Sequence, residues 1–370
     1  MRNNTVAEKP HYPILDGLRG VAAIMVVAFH HFEAHAASRF TQIINHGYMA
    51  VDFFFLLSGF VIGYAYDDRW SKISIGEFFK RRLVRLQPMV VMGMLIGAVC
   101  FYFQDGVLWP GIHEVPVWKV IACMLVGFLM LPLPTSMEIR GWTEMYPLNG
   151  PGWSLFFEYI ANILYAVIVR RFSKLLLGIL VFLSAAALVH YTVTGPTGDV
   201  IGGWSLDPAQ LRVGFTRVMF PFFGGLLLCR MAKLIHVKNA FFWCSLLTII
   251  ALSLPRFGDA NSLWKNGLYE SIAIIFIFPF IVWLGAGGTV QGKFASRICR
   301  FFGDISYPIY ITHYPIIYIY TAWVANNKMP LEKALPVTIG SFIGCIVLAY
   351  ACLKLYDEPV RKWLKKKFMQ

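Results

Sequence analysis

Charge is what this sequence has little of. Only 14% of its 370 residues are Asp, Glu, Lys or Arg, while 58% are hydrophobic and the mean hydropathy is +0.60. A soluble domain normally carries nearly twice that charge, so an ordinary soluble fold is excluded. Cysteine chemistry is missing too. The seven cysteines (100, 123, 229, 244, 299, 345 and 352) form no CxxC pair and no Cys/His cluster. Lying in or beside apolar runs, they read as small apolar side chains, and no metal site is expected. There is no fixed-period repeat and no linker long enough to hide a soluble domain. The opening MRNNTVAEKPHYP is polar and lacks the basic, apolar and small-residue order of a signal peptide.

What is present in abundance is long apolar runs. They cover roughly 14–33, 47–66, 88–104, 118–133, 153–169, 175–193, 209–229, 240–255, 268–285, 305–325 and 334–355. Each is about long enough to cross a hydrocarbon core ~30 Å thick. The 31 glycines and 19 prolines are ordinary for packed membrane helices. Net charge is +13, and the basic residues gather in 69–85, 170–174, 230–238, 293–300 and 354–367. Loops rich in Lys and Arg stay on the cytoplasmic side, which places both termini there. Basic residues confined to alternate short loops need no nucleic-acid partner. Three apolar runs separate the inside segments 69–85 and 170–174, where two crossings would fit. The short run 118–133, ended by LPLPT, is therefore expected to be re-entrant or a short helix at the outer surface. The expectation is an all-α polytopic membrane protein with about ten transmembrane helices plus that one segment.

Ionisable residues inside such runs are expensive, and they usually face the bundle interior to pair or do chemistry. The first run, ILDGLRGVAAIMVVAFHHFEAH, carries Asp16, Arg19, His30 and His31. Arg19 and His30 are eleven residues apart, three helical turns within about 20°, so they share a face about 16 Å apart along the axis. Taken alone, this helix leaves open a plainer arrangement, with Arg19 snorkelling to one interface and His30 in the other headgroup region. Asp52 lies a turn and a half inside the second run, and Glu158 at a similar depth in NGPGWSLFFEYIANILYA. Arg81, Arg82 and Arg85 crowd FFKRRLVRLQP, just before Pro88, which is expected to open the third helix. Arg82 and Arg85 share a face at i, i+3, and a guanidinium fork binds phosphate bidentately where Lys offers a point charge. Arg217 lies two turns into its run, and His313 falls near mid-bilayer in ISYPIYITHYPIIYIY.

In this order, LDGLRGVAAIMVVAFHH, VDFFFLLSGF, RRLVRLQP, GPGWSLFFE, SYPIYITHYP and YDEPVRKW resemble the membrane acyltransferase family 3. These are bacterial integral-membrane enzymes that O-acylate surface and secreted carbohydrates. The resemblance runs from about 14 to 363, and the Arg-x10-His pair, here Arg19 and His30, is its most specific element. It implies ten transmembrane helices with both ends inside a bacterial cytoplasmic membrane. It also implies acyl-CoA, usually acetyl-CoA, as the cytosolic donor, and an extracytoplasmic saccharide or glycolipid as acceptor. His30 matches the essential histidine and Arg19 its partner, while Arg82 and Arg85 match the RxxR element. Glu158 matches the acidic residue of the WSL…E block. Many relatives continue with a second acidic residue where this chain has Tyr159, so a role that needs a carboxylate pair is not carried over.

Assembled, these readings give a cytoplasmic tail (1–13), a transmembrane acyltransferase domain (14–356) and a basic cytoplasmic tail (357–370), without the SGNH esterase-like domain fused to some relatives. The catalytic set is expected to be His30 with Glu158 or Asp52 orienting it. Arg19, Arg81, Arg82 and Arg85 should meet the acyl-CoA phosphates, and Arg217 and His313 should contact the acceptor. His30 is left as either general base or covalent acyl carrier. Two rival readings are a transporter of lipid-linked saccharide, which should show two repeated halves with broken helices, and a lipid acyltransferase using an intramembrane histidine.

Overall fold

The computed structural model describes residues 12–369, so the expected tail at 1–13 lies almost wholly outside the described residues. Among those residues every regular element is helical and no β-strand forms. In chain order the helices are α1 (Pro13–Glu33), α2 (Ala50–Tyr66), α3 (Ile75–Cys100), α4 (Val117–Phe128), α5 (Gly152–Val167), α6 (Lys174–Thr194), α7 (Pro208–Met231), α8 (Ala240–Ser253), α9 (Trp264–Ile272), α10 (Phe278–Ala286), α11 (Lys293–Thr312), α12 (Tyr314–Asn327), α13 (Leu331–Cys352) and α14 (Glu358–Phe368). Seven helical stretches among them are long and apolar enough to span a bilayer: Pro13–Glu33, Gly47–Tyr66, Ile75–Gln104, Lys174–Thr194, Pro208–Met231, Trp264–Ala286 and Leu331–Phe368. Leu175, Phe182 and Leu183 on α6 and Val347 on α13 point outward and are exposed. That inverts the pattern of a soluble helix and suits a hydrocarbon surround. The chain is a multi-pass membrane protein.

Two helix pairs form the spine. A Cβ on Gly59 of α2 would come within 1.8 Å of the Phe222 carbonyl oxygen of α7, and one on Gly225 within 2.1 Å of the Leu56 carbonyl oxygen. In the second pair, a Cβ on Gly20 of α1 would meet the Phe302 carbonyl oxygen of α11 at 2.0 Å. Small residues let membrane helices approach backbone to backbone, where packing must replace the absent hydrophobic drive. The second contact fixes α1, which carries His30 in its last turn, against α11, which stops just before His313.

Several boundaries differ from the sequence expectation. Pro88 does not open α3: the helix begins at Ile75, capped by the Ser74 hydroxyl accepting from the Glu77 amide at 3.1 Å, and Pro88 lies inside it. Arg81, Arg82 and Arg85 are therefore helical rather than loop residues. The run expected at 305–325 starts at Lys293 and breaks at His313 into α11 and α12. Pro315 has no N–H for the Ile311 carbonyl, and Asn149 donates to that oxygen instead at 2.9 Å. A π-helical turn at Leu353–Asp357 joins α13 to α14, so most of the expected basic tail continues the last helix. The segment expected at 118–133 is the 12-residue α4, about 18 Å long and too short to span alone.

Candidate active site

Side chains of α1, α2, α3, α5 and α11 enclose a narrow cavity of ≈ 70 Å³. Arg19, Arg82 and Arg85 line it near the end where α1 begins, and Ser154 and Tyr310 line it further in. The arginines differ in how they are held. Arg82 is buried and donates to Glu158 Oε1 at 2.5 Å, while the Ser58 hydroxyl donates to the same oxygen at 2.6 Å. Arg19 donates to Asp16 at 3.2 Å. Arg85 is exposed and makes no hydrogen bond or ion pair among the described residues. Arg81 does not line the cavity, because Glu77, one turn back on α3, takes its guanidinium at 2.5 and 3.1 Å. The expected four-arginine group thus separates into three that face the cavity and one tied to its own helix.

Beyond Tyr310 lies a pair of imidazoles. The His313 ring is 6.1 Å from the Tyr310 ring and stacks on His30 at 5.8 Å, with 28° between the planes. His313 is fully buried at the break between α11 and α12. Its Nδ1 lies 2.9 and 3.0 Å from the carbonyl oxygens of Ile309 and Tyr310, so Nδ1 carries the proton and Nε2 holds the lone pair. Nε2 has no partner. His30 is held by Glu33, whose Oε2 is 2.8 Å from Nδ1; the two side chains are 17% and 50% exposed. This half-open pairing engages His30 through Nδ1 alone, and Nε2 makes no hydrogen bond among the described residues. Past Glu33, Phe32, His35, Thr41, Lys328 and Glu332 line an open groove of ≈ 540 Å³.

Tyr314 packs edge-on to His30 at 4.8 Å and to Tyr318 at 4.6 Å. The Tyr318 hydroxyl donates to both carboxylate oxygens of Glu144, at 2.8 and 2.7 Å, and Arg140 lies 3.5 Å over its ring. The α4–α5 loop therefore supports the aromatic wall beside His30. Burial pushes the Glu144 carboxyl up to about 7, against the opposing pull of Arg140 and the Tyr318 hydrogen bonds.

The expected carboxylate partners of His30 need correction. Asp52 receives Arg217 Nε at 3.2 Å and Nη2 at 2.7 Å, both side chains being buried. Arg217 also donates to the carbonyls of Tyr48 and Gly202 and sits over Trp153. Four of its five N–H donors are thus spent inside the core, which places Arg217 as a buried partner of Asp52 between α2 and α7, not beside His30. Glu158 serves Arg82 and Ser58, not His30. Similar depth placed these acids together in the sequence reading, but helix azimuth sends each to a different neighbour. Glu33 was missed, although the i, i+3 spacing in HHFE was legible. Tyr159 donates to Gln87 at 3.2 Å, so the place of a second carboxylate is used to tie α5 to α3.

An arginine-lined cavity inside a helical bundle, with two stacked imidazoles beyond its Tyr310 wall, is the arrangement of a membrane protein that handles a charged small molecule. The chain belongs to the membrane acyltransferase family 3: the family model, described as an acyltransferase domain, matches residues 12–354. It is 35% identical over 161 residues to protein 2 in the picA locus of Rhizobium radiobacter, covering 41% of this chain and 80% of that one. It is 24% identical over 388 residues to peptidoglycan O-acetyltransferase OatA of Listeria monocytogenes, covering 98% of this chain and 58% of that protein. Staphylococcus aureus O-acetyltransferase OatA is 23% identical over 369 residues, covering 95% of this chain and likewise 58% of that protein. The chain thus spans little more than half the length of these two O-acetyltransferases. No solved structure matches it.

Proposed function

We propose that this acyltransferase moves an acyl group, acetyl by default, from cytosolic acyl-CoA to a hydroxyl of a cell-envelope carbohydrate or glycolipid across the bacterial cytoplasmic membrane. The observation that carries this reading is the cavity running from Arg19, Arg82 and Arg85 toward His313 and His30. Its arginine end opens where the basic segments gather, which favours ten crossings with both termini inside and α4 as the short segment that does not cross. The distance of about 16 Å between Arg19 and His30 suits a pantetheine arm threaded from phosphates to thioester. Arg85 and Arg19 are the best placed to meet the phosphates, because Arg82 already neutralises Glu158.

At the far end His30 acts as general base. Glu33 fixes the proton on Nδ1 and stabilises the imidazolium that forms when Nε2 takes the acceptor's hydroxyl proton, the role a carboxylate has in hydrolase triads. The groove past Phe32 is the acceptor's place, open to the side away from the donor. Peptidoglycan is the acceptor named for the Listeria relative and is one member of the class proposed here.

The test is transfer of label from acetyl-CoA in membrane vesicles of known sidedness, wild type against His30→Ala. Label should move onto carbohydrate on the face opposite the donor, and only in the wild type. Label on lipid alone would favour the lipid acyltransferase reading, and label transfer undiminished in His30→Ala would remove His30 from the chemistry.

A further inference from the structure

The two stacked histidines are not equivalent, and their order along the path assigns them different tasks. From the donor side the succession is cavity, Tyr310, His313, His30, Glu33, outer groove. A thioester threaded from the arginine end reaches His313 first; a hydroxyl entering from the groove reaches His30 first. Three other buried or half-buried histidines of the outer half have both ring nitrogens bonded: His31 to the Val27 carbonyl and Ser341, His35 to the Met329 carbonyl and Tyr320, His46 to the Leu254 carbonyl and Asn266. His313 alone among these buried rings keeps a nitrogen lone pair with no donor beside it. Leaving such a group desolvated and unpaired costs free energy, and enzymes keep such groups where a ligand completes them.

We propose that His313 is the covalent acyl carrier, receiving the acyl group from the donor and passing it to the acceptor that His30 activates. This rests on the acyl-CoA reading above. In the first step His313 Nε2 attacks the thioester carbonyl carbon; the N–C bond forms, the C–S bond breaks and the thiolate leaves. Nδ1 keeps its proton against the Ile309 and Tyr310 carbonyls, which stabilise the N-acyl-imidazolium. In the second step His30 Nε2 takes the acceptor's hydroxyl proton, the oxygen attacks the acyl carbon and the N–C bond breaks. That regenerates neutral His313, and the proton held by His30 passes to the thiolate, so the sum is acyl-CoA plus alcohol giving ester plus CoA thiol. Two imidazoles stacked at 5.8 Å repel when both are cationic. Protonation of His30 therefore weakens the acyl-imidazolium in the step that must discharge it.

The experiment is isotope exchange without acceptor: labelled CoA incubated with unlabelled acetyl-CoA and purified full-length protein, with acetyl-CoA binding measured in parallel. Wild type should move label into acetyl-CoA, and His30→Ala should do so within a few-fold. His313→Asn should lose exchange by about 10³-fold while still binding acetyl-CoA. Asn keeps an amide N–H where Nδ1–H donates, so this variant retains the helix-break contacts, and its retained binding reports a folded cavity. Wild type that binds acetyl-CoA without exchange overturns the carrier, as does exchange that survives His313→Asn but is lost in His30→Ala. Wild type that fails to bind acetyl-CoA at all overturns the donor reading and the carrier with it.

Discussion

At the scale of single residues, partners decide role more than depth does. Glu33→Gln keeps the size and the hydrogen bond to His30 but removes the charge that steadies its imidazolium. Turnover should fall by about 10²-fold with the donor KM little changed; a change confined to KM would assign Glu33 to binding. Arg85→Lys keeps the charge but loses the fork, so the donor KM should rise about tenfold, or ~1.4 kcal/mol. An unaltered KM would make Arg85 a mere topology charge. Asp52→Asn strands Arg217 in the core and should cost about 3–5 kcal/mol of stability, read as a lower melting temperature in detergent. The Arg19–His30 and Arg82–Arg85 spacings were legible because helical periodicity alone puts them on common faces. The Asp52–Arg217 and Glu158–Arg82 pairs were not, because each joins helices whose relative rotation no single run encodes.

Among the elements, apolar length located nearly every helix, whereas the interruptions inside them had to be seen. Pro88 reads as a start in sequence but is carried within α3, and His313 reads as mid-helix but sits at a break. In both cases neighbouring groups outweigh the local preference. At the α11–α12 break the Asn149 amide, far away in sequence, takes over the carbonyl freed by Pro315. Gly59→Val should separate α2 from α7, where even one Cβ would sit 1.8 Å from a carbonyl oxygen. The expected result is a loss of about 1–3 kcal/mol or of folded yield, and unchanged thermal stability would refute the close contact. In the α4–α5 loop, Glu144 holds its proton up to about pH 7 in the folded chain against an ordinary value of 4.5. The folded state then binds the extra proton between those values, so stability should fall as pH rises through that window, by up to ~1.4 kcal/mol per unit, and level off above it. Glu144→Gln should flatten that slope; melting curves from pH 5 to 8 would reveal whether it persists.

For the whole molecule, the donor route proposed above raises the question of what else could travel along it. Any route that lets a charged donor reach from one compartment toward the other would threaten the ion gradients that the membrane maintains. Here the cavity is lined by three guanidiniums, two of them matched by the carboxylates of Asp16 and Glu158, so the excess positive charge rests on Arg85, a field of the kind that turns cations away from other membrane pores. Proteoliposomes bearing the protein should hold an imposed pH difference as long as empty liposomes do. Replacing Arg85 and Arg19 with Gln should then shorten the lifetime of that gradient. The arginine cluster would thus serve energy conservation as well as donor capture, sparing the cell a leak in exchange for a reaction that spans two sides.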